Sequence, residues 1–184
     1  MLFRNPMPNH ILELVEPERL LELINALSDA LGCDTTILDQ HGEPAVSAPR
    51  RGEFCTLISS HLPVGDQCQR CHAELDRRAL EQGGLARGRC HLGLELIRVP
   101  ILVDGRHVAT LGASNMAQQE PNRELLTKLA EENDIPLAML VAKADSICIL
   151  TTERLSAVER LIRVVAQQIG DLCHQRHHLM RRLN

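Results

Sequence analysis

The chain has 184 residues, 44% hydrophobic and 24% charged, enough for an ordinary buried core and too apolar for a disordered tail. With no Trp or Tyr and only Phe3 and Phe54, that core is aliphatic, which argues against aromatic stacking on a flavin or a nucleobase. The net charge is −4 and the local basic segment runs only from Arg176 to Arg182, which argues against direct nucleic-acid binding.

No run near Met1–Pro8 suits a signal peptide, and no stretch reaches the ~18 to 20 apolar residues of a membrane span, so the expected location is cytoplasmic. There, seven cysteines suit metal binding, redox chemistry or packing better than structural disulfides.

Pro17 opens a predicted helix, 18–31, in which Leu20, Leu21, Ile24, Leu27 and Leu31 recur at helical spacing before Gly32 stops it. Strands follow at 35–39 and 45–48, turned by His41, Gly42 and Pro44. Two helices are predicted at 54–62 and 66–82, separated by Pro63 and Gly65, with Gly83, Gly84 and Gly88 ending the second. A buried strand at 94–103 returns through Asp104-Gly105 as a strand at 106–113. Helices at 121–133 and after Pro136 complete a domain of about 150 residues. Helices around hairpins imply an α+β fold of the PAS or GAF kind, an antiparallel sheet flanked by helices.

From 151 to 184 one long helix is predicted, to serve signalling and dimerisation. Leu155, Val158, Ile162, Val165, Ile169, Leu172, Arg176, Leu179 and Leu183 alternate at three- and four-residue spacings, a heptad seam broken only by Arg176. The seam predicts a parallel homodimer of coiled-coil type; a helix packed on its own domain is the alternative.

Cys55, Cys68, Cys71 and Cys90 are the candidate chemical constellation. Cys68 and Cys71 form a C-x-x-C at a predicted helix start, where backbone N–H groups favour thiolates, and Cys90 precedes His91. Four thiolates from three segments suit a [4Fe–4S] cluster, with zinc as the alternative; buried packing cysteines or a redox dithiol are the other readings. Cys33, Cys148 and Cys173 read as core or seam residues. Asp66, Glu74 and Asp76 read as a solvated helix face, and His174, His177 and His178 as an exposed basic one. No nucleophile–base or phosphate-loop signature appears, so the chain does not read as an enzyme.

The run Phe54-Cys55 with Ile58, Cys68 opening a helix, Cys90-His91-Leu92-Gly93-Leu94, Val99-Pro100 through Gly105 and Leu111-Gly112 resembles the PocR ligand-binding (sensory) domain over roughly residues 10–170. The resemblance implies a PAS-like domain that binds a small molecule or cofactor and signals through its last helix. It carries over Phe54, Cys55, Cys68, Cys90, His91, Gly93 and Leu94, and Cys71 less directly. Two motif positions depart from it: Leu92 stands where the family has Ala, and Ala113 where Gln is common. No helix-turn-helix, kinase or cyclase region is present within the 184 residues, so the expectation is either a truncated sensor or a stand-alone protein acting through a separate output protein. The expected pocket between sheet and helices is lined by Phe54, Ile58, Leu94, Leu96, Val99 and Leu111, with His91 at its edge. The competing function is a redox or metal-handling protein in which the cysteines themselves act.

Overall fold

The structure is a computed structural model and describes residues 10–48, 52–61 and 63–183. Helix α1 (Pro17–Leu31) buries Leu20, Ile24, Leu27 and Leu31, and ends at Gly32 with φ 71°, a left-handed cap that glycine adopts without a Cβ clash. Strands β1 (Asp34–Leu38) and β2 (Pro44–Ser47) form the first hairpin. Helices α2 (Glu53–Ser59) and α3 (Val64–Gln82) follow; the prediction that α2 reaches Leu62 ends outside the described residues.

Strands β3 (Ala86–Arg89), β4 (Glu95–Val103) and β5 (Arg106–Ala117) make the second antiparallel unit. Asp104 and Gly105 both have positive φ, as a two-residue hairpin turn of matching twist requires. Pro100 is tolerated inside β4 because β3 pairs only with Glu95–Arg98, leaving the strand beyond it an edge. Helices α4 (Arg123–Asn133) and α5 (Leu137–Ala144), strand β6 (Cys148–Ile149) and helix α6 (Thr152–Leu183) complete the chain.

The fold is α+β, as expected: the sheet runs β2-β1-β5-β4-β3 antiparallel, with helices on both faces. Strand β6 adds one parallel pair, Met116 with Cys148 and Ala117 with Ile149, beside β5 beyond the end of β1. Two strands escaped the sequence reading. β3 carries Gly88, which had been expected to end the preceding helix, and β6 has two residues and reaches its partner by a crossover rather than a turn.

On the back face of the sheet α1 and α6 enclose Ile37, Ile97, Val99, Ile101, Val103, Ala109, Leu111 and Ala113 in one aliphatic core. Helix α6 adds Leu155, Val158, Ile162, Ala166, Ile169 and Cys173 to it, and Gly170 brings the helix against the Leu102 carbonyl, 3.1 Å from where a Cβ would stand. This corrects the seam. Its first half faces the chain's own sheet, and the core does not stop at residue 150. His177 is buried too, not part of an exposed basic face, whereas His174 pairs with Asp104 at 2.6 Å. Val165, half-buried, flanks the core, while Leu161, Val164, Leu172, Leu179, Met180 and Leu183 are exposed.

Candidate functional site

The opposite face of the same strands differs in kind. Strand alternation turns Leu96 and Arg98 toward α3 while Ile97, Val99 and Ile101 face α6. Val99 and Leu111 therefore lie on the other side of the sheet from Leu96, and cannot line one pocket with it. Phe54, Ile58 and Leu94 meet in a second cluster with Leu126, Leu129 and Leu140 at the end of the sheet under α2, α4 and α5.

Arg98 is 2% exposed and stands opposite Gly112 on β5. Its Nε approaches Asp76 Oδ1 at 2.8 Å, yet the two atoms are not aligned as a hydrogen bond and neither has another hydrogen-bond partner. Nη1 donates to the Ile97 carbonyl at 3.0 Å, and Nη2 meets Nδ1 of His72. A guanidinium only donates, so His72 accepts at Nδ1 and carries its proton on Nε2. Gly112 makes room for this group: a Cβ there would lie 2.6 Å from Nη1.

Burial lowers the Arg98 pKa and raises that of Asp76, and their mutual attraction opposes both shifts. From so high a starting value Arg98 keeps its charge. His72, Leu75, Asp76 and Ala79 lie on one stripe of α3, and Leu75 and Ala79 pack with Ala86 and Leu96 around the ion pair. Asp76 is thus no solvated-face residue, while Asp66 and Glu74 are exposed. The i, i+3, i+4 spacing of these residues is the local signal that could have shown the stripe; nothing local marks Arg98 as its partner.

The four cysteines gather at the rim of this face. Cys55, Cys68 and Cys90 flank the cluster around Phe54 and Leu94, and Cys71 and Cys90 flank the one around Leu75 and Leu96. Burial pushes the thiol of Cys55 up to about 12 and that of Cys68 to about 11, with further rises from neighbouring cysteines. Cys71 Sγ lies 3.8 Å from His91 Nδ1. The donors are soft enough for zinc or an iron–sulfur cluster, but among the described residues no three His, Cys, Asp or Glu are placed to hold one metal ion.

Asn115 was missed by the sequence reading. It is buried within β5 at φ 60°, where the register with β4 slips between Glu95 and Ile97. Its Nδ2 donates to the Ser146 carbonyl at 2.9 Å and its Oδ1 accepts from Cys55 Sγ at 3.6 Å. Ser146 Oγ in turn accepts from the Phe54 N–H at 3.0 Å. A left-handed residue inside a strand is held only by such surroundings, and here they tie β5 to α2 and to the cysteine rim. Asn is the side chain for which that conformation costs least after Gly.

Two grooves open nearby. The larger, about 610 Å³, runs past Leu94, Glu95, Gln118 and Asn122 to Thr152 at the start of α6. The smaller, about 320 Å³, lies between Val64, Gln67 and His91 on one side and Leu125 and Lys128 on the other. Leu94 lines the first and His91 the second; Phe54, Ile58, Leu96, Val99 and Leu111 line neither.

Among solved structures, the inducer-binding domain of the PobR transcription factor from Acinetobacter, a double mutant in complex with 3-hydroxybenzoic acid, is 14% identical with a TM-score of 0.35, covering 71% of this chain and 96% of that one. The RHA06195 protein of Rhodococcus sp. RHA1 is 16% identical with a TM-score of 0.34, covering 82% and 72%. At these scores neither likeness bears on fold or ligand. No curated protein sequence matches the chain. The family described as the sensory domain found in PocR matches residues 13–174, most of the chain's length, and the chain belongs to that family.

Proposed function

We propose that the chain is a small-molecule sensor whose ligand side is the α3 face of the sheet and whose readout side is α6, acting in regulation rather than catalysis. The observation that carries this reading is the contrast within β4 and β5. The same strands present Arg98 and Gly112 to α3 and Ile97, Ile101 and Ala109 to α6, so a change at one face is felt one side chain away on the other. A domain of the PocR sensory family supplies the biological context.

The output follows from α6. Its exposed Leu161, Val164, Leu172, Leu179 and Leu183 leave an apolar stripe for a second copy, so the reading includes a homodimer acting on a separate output protein, in the cytoplasm and without direct DNA contact. Among the described residues no helix is long and apolar enough to cross a membrane. The test is a thermal-shift screen of the purified chain against small organic acids, alcohols and amines, with light scattering for each hit. A saturable stabilisation that also alters the dimer supports the reading; a chain stabilised by no compound at millimolar concentration overturns it.

The gathering of four thiols at one rim, though no three of them stand placed for one metal ion in this arrangement, motivates a second reading, a cysteine-ligated [4Fe–4S] cluster or zinc that draws Cys55, Cys68, Cys71 and Cys90 together as the sensed group or the active one. Anaerobic purification with iron, sulfide and zinc analysis decides it. Absorbance near 400 nm with stoichiometric iron supports a cluster, stoichiometric zinc a closed site, and neither metal rejects both.

A further inference from the structure

We infer that Arg98 anchors a binding site for a small monocarboxylate with an apolar body, and that Asp76 occupies this site as the chain's own carboxylate until the ligand displaces it. The inference rests on the sensing reading and names its ligand class. A guanidinium is planar and matches a carboxylate with two parallel hydrogen bonds. Asp76 does not provide them: its Oδ1 faces Nε at 2.8 Å out of alignment, and both atoms lack a hydrogen bond. Arg98 is thus 98% hidden yet incompletely satisfied, a costly state for a buried charge.

The surroundings select the ligand. Leu75, Ala79 and Leu96 supply apolar walls, and Gly112 leaves room only for the guanidinium itself, so a ligand enters in place of the Asp76 carboxylate rather than beside it. One cation in an apolar setting balances one negative charge, so a monocarboxylate is favoured over a phosphate dianion, which would bring a second charge without a partner. Asp76 sits on α3, which buries only Val64, Gly65, Leu75 and Ala79 along its 19 residues. A lightly held helix can yield its carboxylate and shift outward, carrying Cys68 and Cys71 with it.

A tethered competitor that fills the site most of the time lowers apparent affinity by the fraction of time the site is free. Removing its charge should therefore strengthen binding by about tenfold or more. Calorimetry on the full chain at fixed ionic strength, with sodium hexanoate, hexanamide and inorganic phosphate as probes, tests this. Hexanoate should bind Asp76→Asn at least about tenfold tighter than wild type, phosphate should not bind, and Arg98→Gln in the Asp76→Asn background should abolish the gain. Equal hexanoate affinity in wild type and Asp76→Asn, binding that survives loss of Arg98, or no hexanoate binding at all overturns the inference. Hexanamide binding without hexanoate binding overturns it while leaving the sensing reading standing. If Asp76→Asn does not fold, the Arg98 Nε–Hε resonance of arginine-labelled wild type reads the same exchange. A saturable shift with hexanoate and none with hexanamide supports the site; an unmoved resonance removes it.

Discussion

The two faces of one sheet are built on different principles. Behind β4 and β5 lies a mainly aliphatic core in which Ile37, Ile97, Ile101 and Ile162 are fully buried. In front of the same strands a buried guanidinium, a carboxylate and an imidazole share the space with Leu75 and Leu96. The back face is stabilised chiefly by area, each fully buried aliphatic side chain contributing roughly 1.5 to 3 kcal/mol, with one neutral hydroxyl network, Ser28 Oγ with Thr35 Oγ1 at 2.7 Å, tying α1 to β1. The front face holds charge at a desolvation cost, so its arrangement has an alternative that the back face lacks. Charge is what a ligand can exchange with; a packed methyl is not.

The largest effect that can break this comparison lies behind the sheet. Ile162→Glu with Ile169→Glu would put two carboxylates into the core, so the domain should unfold, by far-ultraviolet dichroism and urea titration, rather than persist as a folded monomer. Ile162→Ala alone should cost about 2 to 5 kcal/mol. A folded double mutant would mean that the back face is not the structural one.

In front, Asp76→Ala leaves the Arg98 charge unpaired and should cost about 3 to 5 kcal/mol in urea unfolding. The double replacement Asp76→Leu with Arg98→Met should recover most of that loss, because apolar groups of similar volume often replace a buried ion pair at little cost. If the double mutant is as unstable as the single, the pair is a strut and the two faces are alike.

Gly112→Ala sharpens the same point with one methyl group. It drives Nη1 off its position and should cost about 1 to 3 kcal/mol. In an Arg98→Met background most of that cost should vanish, as a thermal melt would show.

The cysteines give a smaller, pH-dependent signature. Burial raises Cys33 and Cys55 from 9.0 to about 12, so the folded state favours their protonated forms. That contribution is complete below pH 9 and is lost as pH rises toward 12. Urea midpoints should therefore fall between pH 9 and 10.5, and Cys33→Ala with Cys55→Ala should flatten the fall.

The smallest effect on stability belongs to the outer side of α6. Leu172→Glu with Leu179→Glu touches exposed positions, so stability should change by less than about 0.5 kcal/mol. Light scattering should nevertheless show monomers. A dimer that survives places its interface elsewhere.

Much of this architecture was legible in the residues. Pro17 and Gly32 bracket α1, Asp104-Gly105 turns β4 into β5, and α6 spans the residues its periodicity implied, because caps, turns and helical period are written in neighbouring positions. The family motifs were equally local, and so was the cysteine set as a list of donors. What the sequence alone could not decide is which surface each periodic face would meet. A three-and-four spacing describes a stripe on a helix, and both a partner helix and a sheet accept it; the tertiary structure chose the sheet for Ile162 and Ile169. Asp76 looked solvated because its partner lies 22 positions away on a strand, and Asn115 gave no signal because its left-handed turn is held by Ser146 and Cys55, both distant in sequence. Contacts between distant segments are set by how the layers stack, and no short-range pattern in a single chain encodes that.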